Sequence, residues 1–403
     1  MTFATSQRAF GFVILAVVVI GLVVWLFANL RSGRAEVGSE IELAANRKPY
    51  FSDEELEGKK LNWALFSAAG LLALIGLALP FYWLGEPGRQ QGAVENYQEI
   101  FTERGLDLYE NGAQCVNCHG GGGGGGVANY VLNDQNGQFV AQVNWIAPAL
   151  NNVLWRYSEE EVRYILNYGR PGSPMAAWGA PGGGPLTTQQ IDNIIDYLWS
   201  VQLDVPAMRK QVDDVVKQID PKLFARMKEV DRSNKGLAEP LAANRLSRAD
   251  ELRLGEILFN NQELAAGSYS CARCHVPGAN FGKAYAPFDR IQYTSLGPNL
   301  EGIQNSATEK QHFELIWNGM ESGKLYFSRK QGNPQMPGFG ANPNTGQADK
   351  GVPDKGPEGQ LTASQVWAIV TYERNLDNSS TVKSPVAGTK NSPTFAGSQP
   401  AAG

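Results

Sequence analysis

The chain has 403 residues, a net charge of −5 and a pI near 5.5, with 40 acidic against 35 basic side chains. Such a balance excludes the concentrated basic surface that phosphate binding needs, and with it nucleic acid as a partner. The length suits two or three compact units with appendages, and the 45 glycines suit small, loop-rich domains.

After a short segment at 1–8, two uncharged apolar stretches follow, at 9–30 and 61–85. At 1.5 Å per helical residue, each exceeds the roughly 30 Å of a bilayer's hydrocarbon core, so both are predicted to span it. Only Arg8 precedes the first stretch, whereas the loop 31–60 carries Arg31, Arg34, Arg47, Lys48, Lys59 and Lys60. The excess of positive charge predicts a cytoplasmic loop in a two-helix plasma-membrane anchor. Residues 1–8 and everything beyond 85 then lie on the outer, periplasmic or extracellular, face. A cleaved secretion signal fits less well, because the apolar run is long and its leading flank has one charge.

All four cysteines lie in two copies of one pentapeptide, Cys115-Val116-Asn117-Cys118-His119 and Cys271-Ala272-Arg273-Cys274-His275. Cys-x-x-Cys-His is the attachment signal of c-type haem. Cysteines at i and i+3 share a helix face and can form thioethers to the haem vinyls, while the histidine takes the iron. A structural zinc site would want four protein ligands, and only His312 remains beyond the two motifs. A dithiol redox centre would not need the histidine.

The surroundings of the motif are repeated too. Gly105 and Gly255 each open an apolar helical turn before the motif, and Ala147-Pro148-Ala149-Leu150 and Gly297-Pro298-Asn299-Leu300 follow it. Each copy closes on a helix begun by threonine: Leu186-Thr187 leads through Gln190, Ile191 and Ile194 to Tyr197, and Leu361-Thr362 through Gln365, Val366 and Ile369 to Tyr372.

Between proline corner and closing helix lies a methionine in a stiff Pro/Gly loop: Met175 in Ser173-Pro174-Met175, and Met336 in Met336-Pro337-Gly338-Phe339-Gly340. Such loops can present a thioether across a haem face. The predicted iron ligands are His119 with Met175 and His275 with Met336. Met320 is the rival to Met336, Met208 and Met227 read as packing residues, and His312 reads as a packing or helix-surface histidine. Histidine with methionine raises the reduction potential and fills the sixth position, which favours electron relay over binding of oxygen or peroxide.

The run of glycines at 120–126 lacks the Lys-Ser/Thr ending of a phosphate loop and is read as a flexible segment near the porphyrin edge. The charged stretch 203–246 reads as a helical spacer on or between the haem domains, and the Ser/Pro/Gly/Ala-rich tail 377–403 as disordered. From 86 to 200 there are twelve acidic and five basic side chains, whereas from 245 to 376 each sign has thirteen, so the two copies are expected to face different partners. Glu159, Glu160 and Glu161 are the expected steering charges.

Taken together, these elements resemble class I cytochrome c domains, at 95–202 and 247–376. The resemblance implies a mostly α fold with a transmembrane hairpin ahead of two such domains. It further implies two covalent haem c groups held by Cys115, Cys118, His119, Cys271, Cys274 and His275, with the carbonyls of Pro148 and Pro298 accepting the second ring proton of each histidine. The layout is similar to di-haem subunits of respiratory quinol:cytochrome c reductases and haem-copper oxidases. The partners this implies are a quinol-oxidising complex, a terminal oxidase or a small cytochrome. Two other functions share the motif pair: a di-haem peroxidase, against which both methionine loops count, and the electron-accepting subunit of a dehydrogenase. The chain carries no flavin, nicotinamide or quinone fingerprint of its own.

Overall fold

The computed structural model describes residues 16–17, 19–28, 52, 54–134, 136–170, 173–261, 270–276, 279–281, 297–320, 325–326, 329–330, 336–344 and 359–376. The predicted disordered tail, most of the predicted cytoplasmic loop and residues 1–8 lie outside them. The chain divides into two units, Met1–Arg89 and Gln90–Gly403.

One helix among the described residues is long and apolar enough to cross a membrane, and the chain passes along it from the first unit into the second. It is α1, Leu61–Asp107, and none of its apolar window is buried. Phe66 and Trp83 are each 75% exposed, so over its apolar stretch this helix offers large side chains that no core among the described residues receives. The predicted span 61–85 lies within α1, which continues through Pro80 and Pro87. The other predicted span is described only in part, and contains a shorter apolar helix, Val19–Ala28.

The second unit is mostly helical and holds both attachment motifs. Its first repeat runs from the last turns of α1 through α2 (Val116–His119), a hairpin of β1 (Gly126–Asn133) and β2 (Phe139–Ala147), α3 (Glu159–Tyr168) and α4 (Thr188–Ser200). The hairpin is antiparallel, with Val127 opposite Ile146 and an irregularity at Leu132/Asn133. The second repeat has α7 (Arg248–Asn260), α8 (Cys271–His275), α9 (Glu309–Asn318) and α10 (Ala363–Glu373).

Helix starts follow the sequence closely. Ser158 and Thr187 in the first repeat, and Thr308 and Thr362 in the second, each accept the N3 backbone N–H while a Glu or Gln at N3 reaches back to the cap. These reciprocal bonds satisfy amides that a helix end otherwise leaves open.

In both repeats the leading and closing helices cross at a glycine. A Cβ on Gly105 would collide with the Asn193 carbonyl and stand 2.7 Å from Tyr197 Cβ. On Gly255 it would collide with the Ala368 carbonyl and stand 2.5 Å from Tyr372 Cβ. One turn on, Tyr109 packs on Tyr197 at 5.0 Å and Phe259 on Tyr372 at 5.3 Å between ring centroids, both pairs tilted by 48°.

The stretch expected to be a spacer forms α5 (Val205–Ile219) and α6 (Pro221–Ser233), capped by Asp204 and Asp220 with proline in the first turn of each. Their apolar stripe, Val212, Val216, Leu223 and Met227, is fully buried against Leu254, Leu258, Phe313 and Val366. The two helices thereby complete the core of the second repeat. Met208 and Met227 are buried packing residues.

Candidate functional site

Both pentapeptides form a single helical turn. In the first, the amides of Cys118 and His119 bond the Cys115 carbonyl at 3.2 and 2.8 Å, which carries both sulfurs and the imidazole on one short element. All four cysteines are free of disulfides. Burial raises the Cys115 thiol to about 11 and also pushes up Cys118 and Cys271, so these sulfurs are held neutral.

His119 Nδ1 lies 2.8 Å from the carbonyl oxygen of Pro148, and His275 Nδ1 lies 2.8 Å from that of Pro298. A carbonyl only accepts, so each Nδ1 carries the proton and each Nε2 offers its lone pair to a metal. Burial lowers the pKa of His119 against the opposing pull of the Pro148 carbonyl, and the positive Arg273 lowers it further. A neutral imidazole is the form that ligates iron. In the second copy Gly297 is required, because a Cβ there would stand 2.7 Å from His275 Cε1.

The glycine run, expected to be flexible, is a closed turn. Gly125 N–H bonds the His119 carbonyl at 2.7 Å, and the Gly123 carbonyl accepts from Leu150 at 2.7 Å and Asn151 at 3.1 Å. Gly120, Gly122, Gly123 and Gly125 all have positive φ, a conformation that glycine adopts without steric cost. The run thus straps the attachment turn to the proline corner.

The methionine loops are equivalent in backbone although their lengths differ. Gly169 and Gly319, with φ of 68° and 76°, end α3 and α9, and a Cβ on either would strike the passing methionine backbone. Arg170 N–H bonds the Met175 carbonyl and Met320 N–H the Met336 carbonyl, both at 2.9 Å. Three residues beyond each methionine, Trp178 N–H meets Leu166 O at 2.9 Å and Phe339 N–H meets Ile316 O at 3.0 Å. Met320 is therefore the counterpart of Arg170, not of Met175, and is 8% exposed with its backbone holding the Met336 loop.

In each repeat an attachment cysteine and the loop methionine border one apolar cluster. Cys115 and Met175 pack beside Leu154, Ile191 and Ile194, and Cys271 and Met336 beside Leu254, Phe313 and Val366. Neutral thiols, a neutral imidazole and a thioether around an apolar core fit an iron porphyrin. Among the described residues no three His, Cys, Asp or Glu side chains gather as a metal cluster, so neither turn has the donors of a structural zinc site.

One sequence expectation needs adjusting. Glu159 is 5% exposed, bonds Arg163 at 2.7 Å and Trp199 Nε1 at 3.0 Å, and Glu161 closes the Ser158 capping box. Of the three glutamates expected to steer partners, only Glu160 is left to solvent. His312 is buried, with Nε2 2.7 Å from Glu373 Oε2, and serves packing. Sequence reasoning also missed three arginines. Arg156 and Arg170 both lie against the Tyr157 ring, and Arg273 donates to the Ile146 carbonyl of the first repeat; the only sequence signal was an arginine inside the second pentapeptide.

The Cytochrome c family model matches residues 102–202 and 254–377, together more than half of the chain and one segment for each repeat. The chain belongs to the cytochrome c family. No curated protein and no solved structure matches it. Membership implies covalently bound haem c with its iron, and haem-based electron transfer.

Proposed function

We propose that the chain is a membrane-anchored di-haem cytochrome c that relays electrons in a respiratory chain, between quinol oxidation and a terminal oxidase. Each domain holds one haem through its two cysteines, with His119 and Met175 on one iron and His275 and Met336 on the other. When bound, the haem iron supplies a one-electron couple. The proline carbonyls orient the two imidazoles and keep their Nδ1 protons in place, and Met175 and Met336 would complete the ligand set of a bound haem iron, which disfavours peroxide chemistry.

The observation that carries this reading is the duplication of the whole constellation: two His Nδ1 to Pro carbonyl contacts at 2.8 Å and two equivalent methionine loops. The exposed apolar stretch of α1 supports an anchor, and the lysines and arginines of 31–60 support a cytoplasmic loop in a two-span hairpin with the haem domains outside. Membrane fractionation of the full chain with haem quantification tests it. The expected result is two thioether-linked haems per chain in a fraction released only by detergent; haem-loaded chain in the soluble fraction, or fewer than two haems, overturns it.

A further inference from the structure

Three separate segments of the second domain are fixed to the first. In the attachment turn, Arg273 Nη2 donates to the Ile146 carbonyl of β2 at 2.5 Å, two residues before Pro148, whose carbonyl meets His119. Beyond that turn, the Phe281 ring packs on Trp145 of the same strand, 5.6 Å between centroids. Beyond the methionine loop, Asn344 Nδ2 donates to the carbonyls of Leu154 and Tyr157 at 2.6 and 2.9 Å, and its Oδ1 accepts from the Glu159 amide at 3.1 Å.

Linked domains move relative to one another unless their interface is well packed. Here Arg273, Phe281, Asn344 and Trp145 are all buried. A buried polar group is costly to part from its partner, so the bonds of Arg273 and Asn344 favour one arrangement, and three ties at separate points fix both distance and angle. The same contacts bring the two attachment sites together. Phe281 belongs to the apolar cluster around Trp145, which Cys118 borders, and Ala279 to the cluster around Tyr372, which Cys271 borders. Ala279 and Phe281 are the ends of one short turn, two residues apart, a span of at most about 7 Å. A sulfur from each attachment motif thus borders one side of the same turn.

Building on the di-haem reading, we infer that this junction is a fixed electron bridge. It holds the two haem sites at one distance, so that an electron passes between the irons inside a single chain, with Phe281 and Asn344 as positioning residues. In that step one iron is oxidised and the other reduced; no bond is made or broken and no further reactant is needed. An electron taken up by one domain then leaves from the other without the domains parting.

The test combines two measurements on the detergent-solubilised full chain, with haem counted in the same samples. Pulsed electron paramagnetic resonance of the oxidised protein gives the distribution of distances between the irons. Photoreduction by less than one electron per chain, followed optically, gives the rate at which the electron redistributes. The native chain should show one narrow distance and a redistribution rate independent of protein concentration. The double variant Phe281→Ala/Asn344→Ala lies outside both attachment motifs and should keep two haems at native potentials. Its distance distribution should broaden and its redistribution slow at least about tenfold, because small misplacements of reacting groups cost rate steeply. A broad distance distribution in the native chain, redistribution that is absent or scales with protein concentration, or a double variant that keeps the native distance or the native rate overturns the inference. The native measurements decide the matter even where the variant fails to fold. A native chain with fewer than two haems overturns the di-haem reading instead.

Discussion

Gly105 and Tyr197 meet where the leading and closing helices of the first cytochrome c domain cross, and Gly255 and Tyr372 meet in the same way in the second. The absent side chain lets the backbones touch, and the aromatic pair one turn away locks the crossing. Both elements carry the cysteine-bearing turn and the closing wall of the haem site, so the crossing fixes the site's frame.

Gly105→Ala and Gly255→Ala should each destabilise their domain, by about 1–3 kcal/mol as overpacking typically does. Denaturant titration followed by fluorescence or circular dichroism measures this. Gly88→Ala, where a Cβ would meet nothing within 4 Å of the helix, should not destabilise the protein.

Replacing a loop methionine separates ligand from packing. Met175→Ala and Met336→Ala should each open one iron, lower its potential and introduce a high-spin signal. Met320→Leu should leave the spectrum as it is, since its backbone amide and not its sulfur holds the Met336 loop. Optical and electron paramagnetic resonance spectra of the three variants provide the check.

His312 and Glu373 form a fully buried pair, both side chains 2% exposed. His312→Ala would leave the Glu373 carboxyl without this partner in the core and should cost about 1–3 kcal/mol, the typical penalty for a buried polar group left unsatisfied. Its haem spectrum should match that of the native protein, in contrast with His275→Ala.

Asp231 of α6 accepts a hydrogen bond from Ser364 Oγ at 2.5 Å, and burial raises its pKa above the ordinary 3.8. A raised carboxyl binds its proton more tightly in the folded state, so its contribution to stability is complete below pH 3.8 and is lost as pH rises through the folded value. Asp231→Asn keeps the acceptor and removes the titration. Unfolding free energies measured from pH 3 to 7 should therefore shift in favour of the variant as pH rises.

Much of the site was legible in the chain because it depends on short-range spacing. The Cys-x-x-Cys-His turns, the proline corners and the Thr187 and Thr362 caps are all set within a few residues. The equivalence of Met175 and Met336 became firm only through backbone bonds, since the loops that follow differ in length. The hairpin at Gly126–Ala147 was missed although Val127, Val131, Ala128 and Leu132 alternate between exposed and buried, because the glycine run before it dominated the reading. The charged surface of α5 and α6 hid an apolar stripe at Val212, Val216, Leu223 and Met227. Arg273 reaches the Ile146 carbonyl, more than a hundred residues away, only through the packing of one domain on the other, which no local pattern encodes.

The central claim is a pair of haems, each held between histidine and methionine, and an optical and near-infrared spectrum recorded through a potentiometric titration of the detergent-solubilised full chain tests it most directly. Two c-type haems, both low-spin, with the weak near-infrared methionine band and high potentials are the predicted result. A single haem, a high-spin component at rest, or low potentials without the methionine band would contradict it.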